Sequence, residues 1–297
     1  MIGRITTQMT TRAVLGDIMS ASERLSHYQE QLSSGKQLTK PSDDPTAVGS
    51  ALRLHADLDA NRQYQRNVDA ATAWQDATDS ALGSIGDIVG RVRELVVQAG
   101  NDAIGPSARA EISSEIAQLI DDVKGAANSQ YSGRFIFSGS KTDTPPYAVG
   151  ASDAYAGNTD VVTREIGPGV QLDLNTVGSA VVGDGSSGLL KTLRDVVSHL
   201  QTNDGTSLRG VDLSALDAAT DAVSNARAAV GARTNRLESA DSRLKDLEQV
   251  ASSQLSNIED ADMAEAVVHY STQQAVYQAA LRAGSQIFQP SLMDFLK

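Results

Sequence analysis

Residues 237–258, LESADSRLKDLEQVASSQLSNI, decide the fold. Leu237, Ala240, Leu244, Leu247, Ala251, Gln254 and Ile258 recur at alternating spacings of three and four, the narrow stripe of a coiled coil. Residues 15–32, LGDIMSASERLSHYQEQL, repeat the pattern with Leu15, Ile18, Ser22, Leu25, Gln29 and Leu32. A stripe this narrow does not bury itself on a lone helix. The two stripes lie near opposite ends of the chain, and the simplest partner of each is the other. A chain with paired ends and an outward-looped middle reads as a building block rather than an enzyme.

Composition agrees. Hydrophobic residues make up 40% of the 297, aromatics only 4%, and there is a single Trp. Leu, Ile, Val and Ala therefore carry the contacts, as in elongated helical proteins. A net charge of −12 argues against a nucleic-acid surface, which needs clustered Lys and Arg. The absence of Cys excludes disulfides, thiol catalysis and thiolate metal sites. No apolar run has the length of a membrane span. The start of the chain lacks a basic region followed by an apolar stretch, so no cleaved secretory signal is expected.

Helical pattern runs from about Thr10 to Ser34 and stops at Gly35. Asp44 and Pro45 open the next helix as N-cap and first turn. No strong breaker follows until Gly100, so a rod of roughly 80 Å is expected at about 1.5 Å per residue. Leu54, Leu58, Val68, Leu82, Ile85, Val89, Val92, Val96 and Ala99 mark its buried stripe. Gly83, Gly86 and Gly90 share a face that reads as a place for close helix approach or a bend. Ile112 to Ala126 define a shorter helix ending near Ser132-Gly133. Strand pattern follows at Phe135-Ile136-Phe137, Val161–Ile166, Val170–Leu174 and Ala180–Val182. Helix returns at Leu189–Leu200 and again from Leu213. Capping boxes at Ser256–Glu259 and Asp262–Glu265 predict a kink or restart near 256–262. The last helix covers Met263 to Phe288.

The predicted fold is mainly α: an elongated antiparallel helical bundle or coiled coil built from both chain ends, with a small β-rich insert. Its expected parts are an assembly helix and connector (1–45), two halves of a helical rod (46–133 and 188–256), the insert (134–187), and a C-terminal assembly helix and tail (257–297). Tyr270 and Tyr277, seven residues apart, join Val267, Leu281 and Ile287 on one apolar face of the last helix. That face reads both as a seam against the first helix and as a surface for neighbouring subunits. The candidate interface residues are Leu15, Ile18, Met19, Leu25, Leu32, Met263, Val267, Tyr270, Tyr277, Leu281, Ile287, Leu292 and Phe295.

Enzymatic readings find little support. Gly183-Asp184-Gly185-Ser186-Ser187-Gly188 has the dinucleotide-binding spacing and precedes a helix, with Asp204 downstream. No second strand completes a βαβ unit, and a hinge capped by Ser186 or Ser187 explains the same residues. His27, His55, His199 and His269 have no ligand-spaced partner. The carboxylates at Asp43-Asp44, Asp121-Asp122 and Glu259 to Asp262 fall at helix ends or on helix faces, where capping accounts for them. No catalytic residue, cofactor site or metal site is therefore assigned.

Several segments resemble the flagellin superfamily. They are Leu32-Ser33-Ser34-Gly35-Lys36, the run Arg91-Val92-Arg93-Glu94-Leu95-Val96-Val97-Gln98-Ala99, and Ile258-Glu259-Asp260-Ala261-Asp262-Met263-Ala264. With the terminal heptads, the resemblance covers about 1–140 and 215–297. Pro41-Ser42-Asp43-Asp44-Pro45, the Gly133–Tyr147 run GRFIFSGSKTDTPPY and the ending Gln289-Pro290-Ser291-Leu292-Met293-Asp294-Phe295-Leu296 resemble the hook–filament junction branch of that superfamily more than filament flagellins. Met293 and Thr39-Lys40 depart from the usual residues of that branch. The resemblance implies export through the flagellar type III route with an export chaperone. It also implies a ring of subunits between hook-associated protein 1 and the first flagellin layer, outside the cell. A short flagellin is the alternative within the superfamily.

Overall fold

The computed structural model describes residues 7–150 and 152–288. In chain order the elements are α1 (Thr7–Ser34), α2 (Pro45–Ala99), α3 (Pro106–Ala127), β1 (Gln130–Tyr131), β2 (Arg134–Phe135), β3 (Thr163–Gly167), β4 (Val170–Asp173), α4 (Gly178–Val181), α5 (Leu189–Gln201), α6 (Gly205–Ser207), a π-helical turn (Leu208–Asp212), α7 (Leu213–Glu259) and α8 (Met263–Phe288). The chain is mainly helical, as the periodicity predicts. It groups into two compact units: Asn61–Asp246, and Met1–Ala60 together with Leu247–Lys297. Among the described residues no helix is long and apolar enough to cross a membrane.

The Asn61–Asp246 unit holds the hydrophobic core. Val68, Leu82, Ile85, Val89, Val92, Val96 and Ala99 of α2 are all buried. Val223, Val230, Leu237 and Leu244 of α7 are buried at intervals of seven. The two helices run antiparallel. Asn61 Nδ2 donates to the Leu244 carbonyl at 2.7 Å, Arg227 holds Asp79 at 2.9 Å, and Arg93 holds Asp217 at 2.8 Å. Helices α3 and α5 pack together through Ile112, Ile116 and Ile120 and through Leu189, Leu193, Val196 and Leu200. Of the three glycines on one face of α2, only Gly86 lies in contact range of α7, at Val223; the positions beside Gly83 and Gly90 are open. They do not serve close helix approach.

The strand-containing region is smaller than its sequence pattern suggests. Ser132 and Gly133 both have positive φ, 50° and 77°, so they form the turn of a two-residue hairpin rather than a helix end. That hairpin pairs Gln130 with Phe135 and Tyr131 with Arg134. Ile136 and Phe137, expected in a strand, lie beyond it and are fully buried. β3 and β4 form the second hairpin, with a bulge between Glu165 and Gly167. Ala180–Val182, also expected as strand, is one turn of helix in which Val182 N donates to Gly178 O at 2.8 Å. Val181 and Val182 are both buried, which a helical turn permits and the alternation of a strand does not.

An ionic cluster anchors the chain after the first hairpin. Lys124 on α3 is fully buried and meets Asp153 at 2.6 Å; Arg194 on α5 holds the same carboxylate at 2.8 Å. Lys124 also donates to the Ala148 carbonyl at 3.3 Å. Arg194 foremost, aided by Lys124 and against the effect of burial, depresses the Asp153 carboxyl to about 2.

In the second unit α1 and α8 pack together, antiparallel. Arg24 reaches Gln273 at 3.4 Å, and Tyr28 stacks on His269 with ring centres 5.2 Å apart. Gly35 adopts φ +71° and its N–H returns to Gln31 O at 2.8 Å, the helix stop its sequence predicts. Asp44 Oδ1 accepts from Thr46 N and Ala47 N, at 2.9 and 3.0 Å, and so caps α2. Asp262 caps α8 through Ala264 N and Glu265 N. Ser256 is no cap: it lies inside α7, and its hydroxyl donates to Asp260 at 2.6 Å.

Candidate assembly interface

Two helix breaks in the smaller unit are stitched to each other. Gln37 N donates to Glu259 O at 2.7 Å and Ala261 N to Gly35 O at 2.9 Å, an antiparallel bridge centred on Lys36 and Asp260. Gln37 Nε2 adds a bond to Ile258 O at 3.2 Å. The Glu259 carboxylate forms an ion pair with Lys36, and its other oxygen lies 2.8 Å from His55 Nε2. Burial alone would raise the Glu259 carboxyl, but Lys36 and His55 together outweigh it and hold it below the usual value. Asp43 collects Thr39 N, Thr39 Oγ1 and Lys40 N, chiefly the Lys40 amide, and is likewise held down. The connector between α1 and α2 is thus fixed by its own polar groups.

What this unit lacks is a core. Its fully buried apolar residues among those described are Ala21, Ala51, Leu58 and Ala266, three of them alanines. Eleven of the fifteen large apolar side chains that stand exposed belong to it, although it is the smaller unit. Exposed surface of this kind marks interaction sites in soluble proteins.

The candidate residues divide between two faces. Ile18, Leu25, Leu32, Tyr270 and Tyr277 are half-buried. On α1 they share the side of Ala21, and on α8 that of Ala266, at about 100° of turn per residue. Leu15 and Met19 turn away from that seam and are 51% and 59% exposed. On α8, Met263, Val267 and Leu281 border the seam side, at about 60° to 100° of turn from Ala266, and each is more than two-fifths exposed. The side chain of Ile287, and Leu292 and Phe295 altogether, lie outside the described residues. Sequence reasoning missed Met9, Leu52, Val250, Val268 and Val276, all exposed. It also assigned Leu15 and Leu247 to the coiled-coil seams, whereas both are half exposed. For Met9, Leu52, Val250, Val268 and Val276 the signal was apolar character off the heptad stripe.

The remaining chemistry is structural. At Gly183–Gly188 the Asp184 carboxylate accepts from Ser186 N, Ser187 N and both serine hydroxyls. The Ser186 hydroxyl and amide, then those of Ser187, hold it at about 2. Amides that a phosphate would need are therefore occupied, and Gly183 packs so closely on Ser187 and Gly188 that no cradle remains. The nucleotide-binding alternative is overturned on these grounds. His199 meets Asp212 at 2.8 Å, and His269 meets Glu265 at 3.1 Å. Among the described residues no group of three or more His, Asp or Glu converges as a metal site.

Comparison with known proteins matches residues 5–142 to the bacterial flagellin N-terminal helical region and residues 213–296 to the bacterial flagellin C-terminal helical region. The chain is 27% identical to flagellar hook-associated protein 3 of Escherichia coli over 317 aligned positions, covering 99% of this chain and 100% of that one. It is 26% identical to the Bacillus subtilis flagellin, covering 93% of each. The solved structure of Bacillus cereus FlgL superposes with a TM-score of 0.60 at 22% identity, over 69% of this chain and 99% of that one.

Proposed function

The chain belongs to the flagellin family of non-enzymatic flagellar structural proteins, and from that premise we propose that it is the adaptor subunit of the bacterial hook–filament junction. One observation carries the reading: large apolar side chains gather, exposed, on the unit made from the two chain ends, which has almost no core of its own. Such a unit is completed by neighbours. The end-to-end match to hook-associated protein 3 selects the junction over the filament.

In this reading copies form a ring through α1 and α8, the segments 1–45 and 257–297. Leu15 and Met19, and Met263, Val267 and Leu281, meet neighbouring subunits. The ring joins hook-associated protein 1 on the hook side to flagellin on the filament side. It stands outside the cell and is delivered by the flagellar export route with its chaperone. The connector stitched at Lys36 and Glu259 holds the two assembly helices in one register.

The test is localisation of the tagged full-length protein along intact flagella. A short zone at the hook tip is expected. Long filaments built from this chain alone would replace the junction reading with that of a short flagellin, a reading the Bacillus subtilis match keeps in view.

A further inference from the structure

Outside the terminal helices, one flank of the Asn61–Asp246 unit carries charge that its own fold leaves unmatched. Arg91, Arg93, Arg194, Arg209 and Arg227 each hold a carboxylate. Arg236 and Arg243 are exposed and enter none of the described ion pairs. They stand seven residues apart on α7, so both project from the same side, about 10 Å apart. Clefts of about 350 and 380 Å³ separate that side of α7 from the β3–β4 region. Arg236 and Arg243 line the first together with Ile166 and Val170, and Arg233 lines the second. The Arg243 guanidinium lies over Gly167 at the β-bulge, where a side chain would press on it. In a chain with a net charge of −12, an open arginine cleft is an electrostatic exception.

A matching pair lies on another flank. Asp69 and Asp76 are exposed on α2, also seven residues apart, and neither enters a described ion pair. On α7 it is Lys245 that senses the Asp69 charge, and Lys245 is already held by Asp241. Lys245 is two residues from Arg243, about 200° around the helix. The acidic pair and the arginine pair therefore face different directions and cannot meet within one copy. Head-to-tail contact between identical copies sets one flank against a different flank of the next, the geometry that closes rings.

We infer that Arg236 and Arg243 of one copy bind Asp76 and Asp69 of its neighbour, a lateral charge lock outside the terminal helices. It rests on the reading that copies pack side by side. Parallel copies set α7 of one antiparallel to α2 of the next, so Arg236 meets Asp76 and Arg243 meets Asp69. Within one copy Asn61 reaches Leu244 and Asp79 reaches Arg227, which puts Arg236 near the level of residue 70. The lock therefore requires an axial step of roughly 9 Å between neighbours.

Charge reversal tests it in the full chain, expressed in cells lacking the natural gene. Arg236→Asp with Arg243→Asp, or Asp69→Arg with Asp76→Arg, is expected to lower junction occupancy at least tenfold at unchanged thermal midpoint. The fourfold exchange is expected to restore it. Reversals without effect, or an exchange no better than either double variant, overturn the lock. Because the chain has no Cys, Arg236→Cys with Asp76→Cys gives an independent reading: oxidised assemblies should yield a ladder of linked copies absent from either single variant. Absence of that ladder from assembled protein overturns the lock as well. Wild-type protein away from the junction would refute the proposed function instead, and the ladder from whatever it assembles would still decide the pairing.

Discussion

Truncating the outer stripe of α1 separates assembly from folding. In Leu15→Ala/Met19→Ala both side chains are about half exposed in the lone chain, at 51% and 59%. Full burial of a Leu or Met side chain is worth about 1.5–3 kcal/mol. Only the exposed half is left for a neighbour to cover, so each contributes about 1 kcal/mol at the contact. The pair then accounts for about 2 kcal/mol per contact, close to a thirtyfold change in the concentration needed for assembly. In the lone chain both side chains turn away from the seam, so their covered part lies against α1 itself and the change to Ala should move the melt only slightly, by about 0.5 kcal/mol at each position. The assay is paired: thermal unfolding of the purified monomer, and junction occupancy on isolated hooks titrated with the protein. An unchanged melt with a thirtyfold right shift in occupancy is expected. An unshifted titration would refute the assignment of this stripe to assembly. A depressed melt would show instead that the two side chains support the fold of the single copy.

Four further outcomes follow from the geometry. Asp153→Asn removes the carboxylate that meets the buried Lys124 ammonium and should destabilise the Asn61–Asp246 unit by about 3–5 kcal/mol in urea denaturation; a loss below about 1 kcal/mol would contradict the buried-pair account. In the wild type the same carboxyl lies at about 2 against 3.8 when free, so its contribution of about 2 kcal/mol is present above pH 4 and lost as pH falls toward 2; a stability profile without that acid limb in comparison with Asp153→Asn would count against it. Limited proteolysis of the free subunit should cut within α1 and α8 before the segment from Asn61 to Asp246, since local opening is cheapest where little is buried; equal resistance would argue that the ends are as stable as the core. Gly183→Ala places a methyl 2.0 Å from the Ser187 carbonyl oxygen at φ +101° and should cost more than about 2 kcal/mol, whereas Ser186→Ala should cost under about 1.5 kcal/mol; equal melts for the two would remove the closed-loop account.

The long helices were legible because their signals are redundant. Asp44-Pro45, Gly35 and Asp262 are punctuation with a direct backbone consequence, and α2 and α8 start where those residues place them. The stripe from Leu82 to Val96 persists long enough for its period to be read without ambiguity. The insert was not legible to the same depth. Ala180-Val181-Val182 is too short for its period to separate strand from turn, and only burial of two adjacent valines distinguishes them. Ser132 adopts positive φ without being Gly or Asn, so the hairpin turn carries half of its usual signature.

The interface was harder to read for a different reason. A heptad identifies residues that a helix hides, and it ranks Leu25, Leu32 and Leu247 alike. The seam between α1 and α8 is closed chiefly by Ala21 and Ala266, which bring the helices close and leave the larger side chains to spread sideways. Leu15 and Met19 on α1 thus belong to a second stripe that a single seam cannot use, and Val267 and Leu281 crowd the border of the seam on α8. A pair of helices has too little interior for all of these side chains, whatever its sequence. The surplus cannot be absorbed by better intramolecular packing, because the inner positions are already filled by residues too small to exchange without separating the helices. A larger residue at Ala21 should therefore open the seam and weaken the single copy, whereas a larger apolar residue at Leu15 should leave it intact and act only on its neighbours. That difference in response separates a helix pair that folds for itself from one that folds for an assembly.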